Sequence, residues 1–135
     1  MRFFFDRNMS RMLARMVDIL DRDHSAQSYF DDDRFTPTTP DVEWINVLAA
    51  DDPPWIIVSG DGRILKNKTE MSALKEAELT FFCLSNQWMH MNVYKEQAWK
   101  FIKVWPHIVE NAKGTSQRIF EISGGAGLKI ERKHF

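Results

Sequence analysis

Three aspartates stand where a reading of the chain as strands and helices places reactive groups. Asp6 follows the apolar run Arg2–Phe5, Asp61 follows Trp55–Val58 within Ser59-Gly60-Asp61-Gly62-Arg63, and Asp41 comes directly after Thr39-Pro40. Carboxylates brought together from distant parts of a chain repel one another, and burying them is costly unless a cation compensates. Mg²⁺ suits that role, because it prefers hard oxygen ligands and keeps several waters; Mn²⁺ is a substitute. Such an ion lowers the pKa of a water, orients it in line with a phosphodiester and stabilises charge on the leaving oxygen, so no nucleophilic side chain is needed. Taken singly, each residue has a plainer reading. Asp is a favoured turn former, and in the first turn of a helix it complements the dipole by about 0.3–1 kcal/mol. The chemistry rests on the three together.

The elements that must position them are legible as alternating strands and helices. Arg2–Phe5 reads as a buried strand, and Asn8 or Ser10 caps a helix whose Met12, Leu13, Met16, Val17 and Leu20 share a face. A weak strand pattern lies near His24–Phe30, and the span from Asp31 to Pro40, with three successive aspartates and two prolines, reads as a loop. Thr39-Pro40-Asp41 is a helix start with Thr39 as cap; the helix runs to about Ala50 and stops at Asp51-Asp52-Pro53-Pro54. Trp55–Val58 is a continuous apolar run, as expected of a strand covered on both faces. A short helix over Thr69–Ala77, a strand over Leu79–Leu84 and a helix from Val93 to about Asn111 follow. The spans Gln117–Ser123 and Leu128–Arg132 form a hairpin around Gly124-Gly125-Ala126-Gly127.

This alternation implies right-handed crossovers and a mainly parallel central sheet flanked by helices, an α/β class. Ligands of such sheets bind outside the carboxyl ends of the strands. Asp6 and Asp61 then emerge on one edge, where the start of the Asp41 helix can approach.

The whole chain narrows the classes. Its 135 residues make one domain, 44% hydrophobic and 27% charged, which is the balance of a globular protein rather than a disordered one. A net charge of −1 gives no global attraction to nucleic acid, so any such role comes from a local arrangement. The lone Cys83 forms no internal disulfide, the start MRFFFDRN is too short an apolar run for a signal peptide, and no run reaches the roughly 20 apolar residues of a membrane span. A cytoplasmic protein with no membrane role is expected. His24, His90, His107 and His134 lack paired ligand spacing, which argues against zinc.

Other features have bland readings beside the sharp ones. Met9, Met12 and Met16 read as core packing, and Trp88–Met91 as a cover over the sheet rather than a partner contact. Asp31–Asp33 reads as a solvated loop. The basic excess after Lys113 suits either RNA phosphates or a blunted sheet edge.

In the segments Phe3-Phe4-Phe5-Asp6-Arg7-Asn8, Pro40-Asp41-Val42-Glu43-Trp44-Ile45 and Trp55-Ile56-Ile57-Val58-Ser59-Gly60-Asp61-Gly62-Arg63-Ile64 the chain resembles PIN-like domains, specifically the VapC-type ribonuclease toxins of bacterial toxin–antitoxin pairs. The resemblance implies a three-layer PIN-like nuclease domain over residues 1–112, with 113–135 as a C-terminal hairpin extension of the same domain. It implies a metal-dependent endoribonuclease acting on an RNA substrate and restrained by a cognate antitoxin; a homodimer is compatible with the resemblance alone. Carried over by position, Asp6, Asp41 and Asp61 hold Mg²⁺ and are catalytic, and Glu43 is a substitute or additional acid. Ser59 orders the Asp61 turn, while Asn8 and Arg63 position phosphate or a carboxylate. One departure stands out: many PIN nucleases carry a fourth acid shortly after the third, where this chain has Gly62-Arg63. Glu70 and Glu76 read as a solvated helix face. That departure keeps open a non-catalytic PIN-like module that binds protein or RNA. A phosphoacceptor receiver domain, with Asp61 as acceptor, ranks lower because Arg7-Asn8 stands where receivers carry adjacent acids.

Overall fold

A computed structural model describes residues 1–114, 117–125 and 127–134. Ten main elements build one six-stranded sheet and its covering helices, with a one-turn helix α4 besides. In chain order they are β1 (Arg2–Phe5), α1 (Arg11–Leu20), β2 (Ser25–Ser28), α2 (Asp41–Ala49), β3 (Trp55–Ser59), α3 (Lys68–Ala77), β4 (Thr80–Leu84), α4 (Asn86–Met89), α5 (Ala98–Ala112), β5 (Ile119–Ile122) and β6 (Ile130–Lys133). The sheet order is β2-β1-β3-β4-β5-β6, parallel throughout except for the antiparallel β5–β6 pair. The expected α/β class with a mainly parallel sheet and a terminal hairpin is therefore correct. Ala126, in the expected hairpin turn, lies outside the described residues.

Strand periodicity explains the layers. Successive side chains point to opposite faces, so Phe3 and Phe5 join Leu13, Val17, Phe101 and Trp105 under α1 and α5. Phe4 joins Trp44, Leu48 and Leu74 under α2 and α3. Each face contributes fully buried aromatics, and β3 is buried at all five positions because both faces are covered.

Local differences from the sequence-based expectations have identifiable causes. Ser10, not Asn8, caps α1, accepting from the Met12 amide at 3.1 Å. The buried face of that helix is Leu13, Ala14 and Val17, while Met12 and Leu20 are exposed, because the stripe that meets α5 and the sheet is narrower than the apolar pattern. Of the three methionines read as packing, Met9 is buried and Met16 partly so. Thr39 does not cap α2; its hydroxyl accepts from the Thr36 amide at 2.9 Å, and Pro40 takes the capping position. β2 is shorter than the expected strand, since a 3₁₀ turn takes Tyr29–Asp31. The helix expected from Val93 begins as a π-helical turn, Val93–Gln97. Trp88 is fully buried and donates to the Ile122 carbonyl at 3.1 Å, so packing is its role. Among the described residues no helix is long and apolar enough to cross a membrane.

The sheet order sets the place where a ligand would sit. From β1 the chain moves outward to β2, then returns to the other side of β1 as β3. The crevice beyond the carboxyl ends of β1 and β3 is thus a topological switch point, the usual binding position in open α/β sheets. Asp6 and Asp61 lie there.

Candidate active site at the β1–β3 switch point

Asp6 is held by backbone pairing and buried. Its amide donates to the Val58 carbonyl at 3.0 Å, which continues the β1–β3 ladder through the site. Oδ1 accepts from the Asn8 amide at 3.0 Å, and Oδ2 accepts from the Ser59 hydroxyl. The same Ser59 Oγ accepts from the Asp61 amide at 3.0 Å. One hydroxyl therefore fastens two acids, the Asp6 carboxyl directly and Asp61 through its backbone amide. Asp6 is only 1% exposed, and among the described residues no Lys or Arg pairs with it. Burial pushes its carboxyl up to about 6, against the lowering effect of Ser59 and Asn8, and the charge of Asp61 adds to the rise.

Asp61 has the opposite environment. Its Oδ1 accepts from the Arg63 amide at 2.9 Å, capping the 3₁₀ turn Gly62–Leu65. The Arg63 guanidinium then grips both carboxylate oxygens, with Nε at 2.9 Å and Nη2 at 3.0 Å. That grip holds the carboxyl below its ordinary range despite partial burial. Asn8 Nδ2 reaches Oδ2 of Asp61 at 3.4 Å, so Asn8 touches both strand-end acids, one through its amide and one through its side chain.

Asp41 enters from the first turn of α2. Its Oδ1 accepts from Arg7 Nη2 at 2.9 Å and from Trp44 Nε1 at 2.8 Å. Arg7 is itself pinned: it donates to the carbonyls of Pro37 and Thr39, and lies 5.2 Å over the Tyr29 ring. The cation is thus built into the wall beside Asp41.

Glu70 joins this group, contrary to its reading as a solvated face. It is half-buried at the start of α3, and its carboxyl is raised by burial, by the charge of Asp41 and by a hydrogen bond with Asp41, with a smaller effect from Asp61. Burial and a neighbouring carboxylate both disfavour the charged form of Glu70. The signal in the sequence is Asn67-x-x-Glu70: Asn67 Oδ1 accepts from the amides of Thr69 at 3.0 Å and Glu70 at 3.1 Å, which sets the helix phase. Glu76 is exposed, as its solvated-face reading requires, and Glu43 is exposed in the first turn of α2.

The result is two acid pairs, each with one acid held by an arginine. Asp6 faces Asp61, Asp41 faces Glu70, Arg7 pairs with Asp41, and Arg63 pairs with Asp61. Among the described residues no three acids are gathered closely enough to hold a metal ion together. The donor chemistry of the Asp6–Asp61 pair still fits Mg²⁺, which commonly takes one or two carboxylates and completes its shell with water and phosphate. Arg63 is no fixed obstacle, since its side chain is 85% exposed.

A family model described as PIN like domain matches residues 1–86, which contain all four acids and both arginines. Searches among curated proteins and among solved structures give no match. With the sheet order and the acids at its switch point, a match over more than half of the chain is decisive: this chain belongs to the PIN-like domain family.

Proposed function

We propose that the protein is a metal-dependent endoribonuclease, with Asp6 and Asp61 as the principal ligands of Mg²⁺ or Mn²⁺ and with Asp41 and Glu70 acting beside them. One observation carries this reading: the Asp6 carboxyl is buried, shares its surroundings with Asp61, and has no cation of the chain paired to it among the described residues. A buried acid in that state is stabilised by an external cation.

A divalent ion bound there supplies an activated water and neutralises charge on a phosphodiester oxygen. The chain's own residues do the rest. Ser59 and Asn8 hold the Asp6 carboxylate in one orientation. The Asp41–Glu70 pair offers a carboxyl that accepts or returns a proton near the reacting atoms. Arg63, largely exposed, can exchange Asp61 for a phosphate oxygen. Arg7 keeps Asp41 in place. The toxin role, with a cognate antitoxin as protein partner, is supported by the resemblance of the three acid-bearing segments, and a homodimer by that resemblance alone.

The test is cleavage of a mixed RNA pool, structured and single-stranded, by purified protein in Mg²⁺, in Mn²⁺ and in EDTA. Asp61→Asn is assayed in parallel. Metal-dependent cleavage lost in a folded variant supports the reading, and full activity in the variant counts against it.

A second reading has its own observation. Asp41 and Asp61 already carry arginines, and no three acids cluster among the described residues, as expected of a non-catalytic PIN-like module that binds protein or RNA. Calorimetric titration with Mn²⁺ separates the two. Stoichiometric uptake dependent on Asp6 belongs to the enzyme, and absence of uptake belongs to the module.

A further inference from the structure

Beside Asp61 the same sheet edge opens into a cavity of about 360 Å³. Register places Cys83 opposite Glu121 across the parallel β4–β5 pair, and Ile119 opposite Lys133 across β5–β6. The floor is the Cys83 thiol, buried and pushed up to about 12, hence neutral and unreactive. The rim carries Arg63, Lys66 and Lys133, with Ser85 and Asn86 on the far wall.

We infer that this cavity binds one nucleotide of a single-stranded RNA, adjoining the phosphate presented to Asp61. The inference rests on the ribonuclease reading for its choice of RNA, and on three features of its own. Its volume lies at the low end of the roughly 300–1,000 Å³ typical of small-molecule sites, which suits one nucleotide and excludes a duplex. Its charges are arranged for a phosphate. The two acids in the lining are each engaged, Asp61 by Arg63 at 2.9 Å and Glu121 by Lys133 at 3.9 Å, whereas Lys66 has no ion pair among the described residues. Arg63 belongs to both places, so a strand that takes the guanidinium from Asp61 is drawn from the cavity rim onto the acid pair. The third feature is the wall: the Asn86 side-chain amide makes no hydrogen bond among the described residues and offers donors and an acceptor to a base edge.

Gly62 gives a way to close the cavity without touching a charge. A Cβ there meets only Cys83 Sγ at 3.9 Å, an ordinary contact, so Gly62→Leu fills the mouth without backbone strain. The experiment measures fluorescence anisotropy of a labelled single-stranded hexaribonucleotide in EDTA, where nothing is cut. Wild type is compared with Gly62→Leu, Lys66→Glu and, as a distant control, Lys103→Glu on α5, each checked for folding by circular dichroism. Metal-dependent cleavage by wild type and Asp61→Asn is followed in parallel. About tenfold weaker binding in both cavity variants, with Lys103→Glu unchanged, supports the site, and Lys66→Glu also lowers the salt dependence by about one ion. Cavity variants that bind like the control overturn it, as does a wild type that binds no RNA. The two proposals fail separately: loss of binding in the cavity variants without any cleavage removes the nuclease and keeps the site. Cleavage that depends on Asp61, with binding untouched in the variants, does the reverse.

Discussion

The Ser59 hydroxyl donates to Oδ2 of Asp6 across the β1–β3 seam, and both groups are buried, at 0% and 1% exposure. Because the same oxygen accepts from the Asp61 amide, removing it loosens both strand-end acids at once. Ser59→Ala leaves a buried carboxylate short of one donor, at a cost of about 1–3 kcal/mol. The Asp6 carboxyl then moves further up, since Ser59 is one of the groups holding it down. Lower thermal stability together with weaker Mn²⁺ uptake is the expected pair of results. An unchanged melting temperature and unchanged uptake would show that this bond positions nothing.

The buried Asp6 also predicts an unusual pH dependence without metal. In the unfolded chain the group titrates at 3.8, and in the fold at about 6. Between those values the folded state binds more protons, so this group's contribution falls as pH rises through the window and is lost above it. The rise from 3.8 to about 6 corresponds to about 3 kcal/mol. Asp21, Asp31, Asp32, Asp51 and Asp61 are lowered and give slopes of opposite sign, so the signal is the difference between wild type and Asp6→Asn. In EDTA at neutral pH, Asp6→Asn melts higher than wild type, and the advantage shrinks below pH 6. Mg²⁺ narrows the gap by stabilising wild type alone. A variant that is less stable at neutral pH would contradict the assigned burial cost.

Much of this arrangement is legible in the sequence alone. β1 and β3 are visible as short apolar runs each followed by Asp, and the parallel-sheet rule is enough to put Asp6 and Asp61 on one edge. Glu70 is not, because its role depends on the phase of α3 set by Asn67 and on the packing of α3 against α2, which are matters of tertiary contact rather than spacing. Arg7 escapes for the same reason: its partners at Pro37, Thr39 and Asp41 lie some thirty residues away in sequence. The narrow buried face of α1 is hidden by apolar residues that the fold leaves exposed, as at Met12 and Leu20.

Glu70 should matter to cleavage more than to folding. Glu70→Gln removes a carboxyl that Asp41 and Asp61 both repel, so the folded state gains slightly or is unchanged. If the Asp41–Glu70 pair serves the reacting water or a metal-bound one, cleavage falls by about 10–100-fold, the usual loss for an outer partner of a metal site. Thermal melts and initial rates on one RNA decide it; full activity would return Glu70 to a structural role.

Arg7 is a positioning cation, and its geometry cannot be met by an ammonium. The guanidinium reaches two carbonyls and Asp41 at once while stacking over Tyr29. Arg7→Lys therefore fails to restore what Arg7→Ala removes, because a point charge cannot span a planar fork of partners. Both variants should loosen residues 36–40 and weaken cleavage more than Mn²⁺ binding at Asp6. Amide hydrogen exchange over that loop is the direct readout, and protection equal to wild type in Arg7→Lys would argue against the fork.

Arg63 is the contrasting case, and its two effects point in opposite directions. It grips Asp61 through two nitrogens, yet 85% of its side chain is exposed, so solvent and salt screen the pair and its loss leaves folding essentially unchanged. Without the guanidinium, Asp61 loses the group that holds its carboxyl low, but it also loses the cation that competes with a metal for the same oxygens. Arg63 holds both carboxylate oxygens that a metal would take, so competition decides. Arg63→Ala binds Mn²⁺ several-fold more tightly, and the gain shrinks at high salt, where the competing pair is already weak. Cleavage changes the other way: the phosphate loses its charged contact, and kcat/KM falls. Tighter metal with slower cleavage identifies Arg63 as a counter-ion that the substrate displaces, whereas weaker metal binding in Arg63→Ala would mean that the arginine builds the site rather than guarding it.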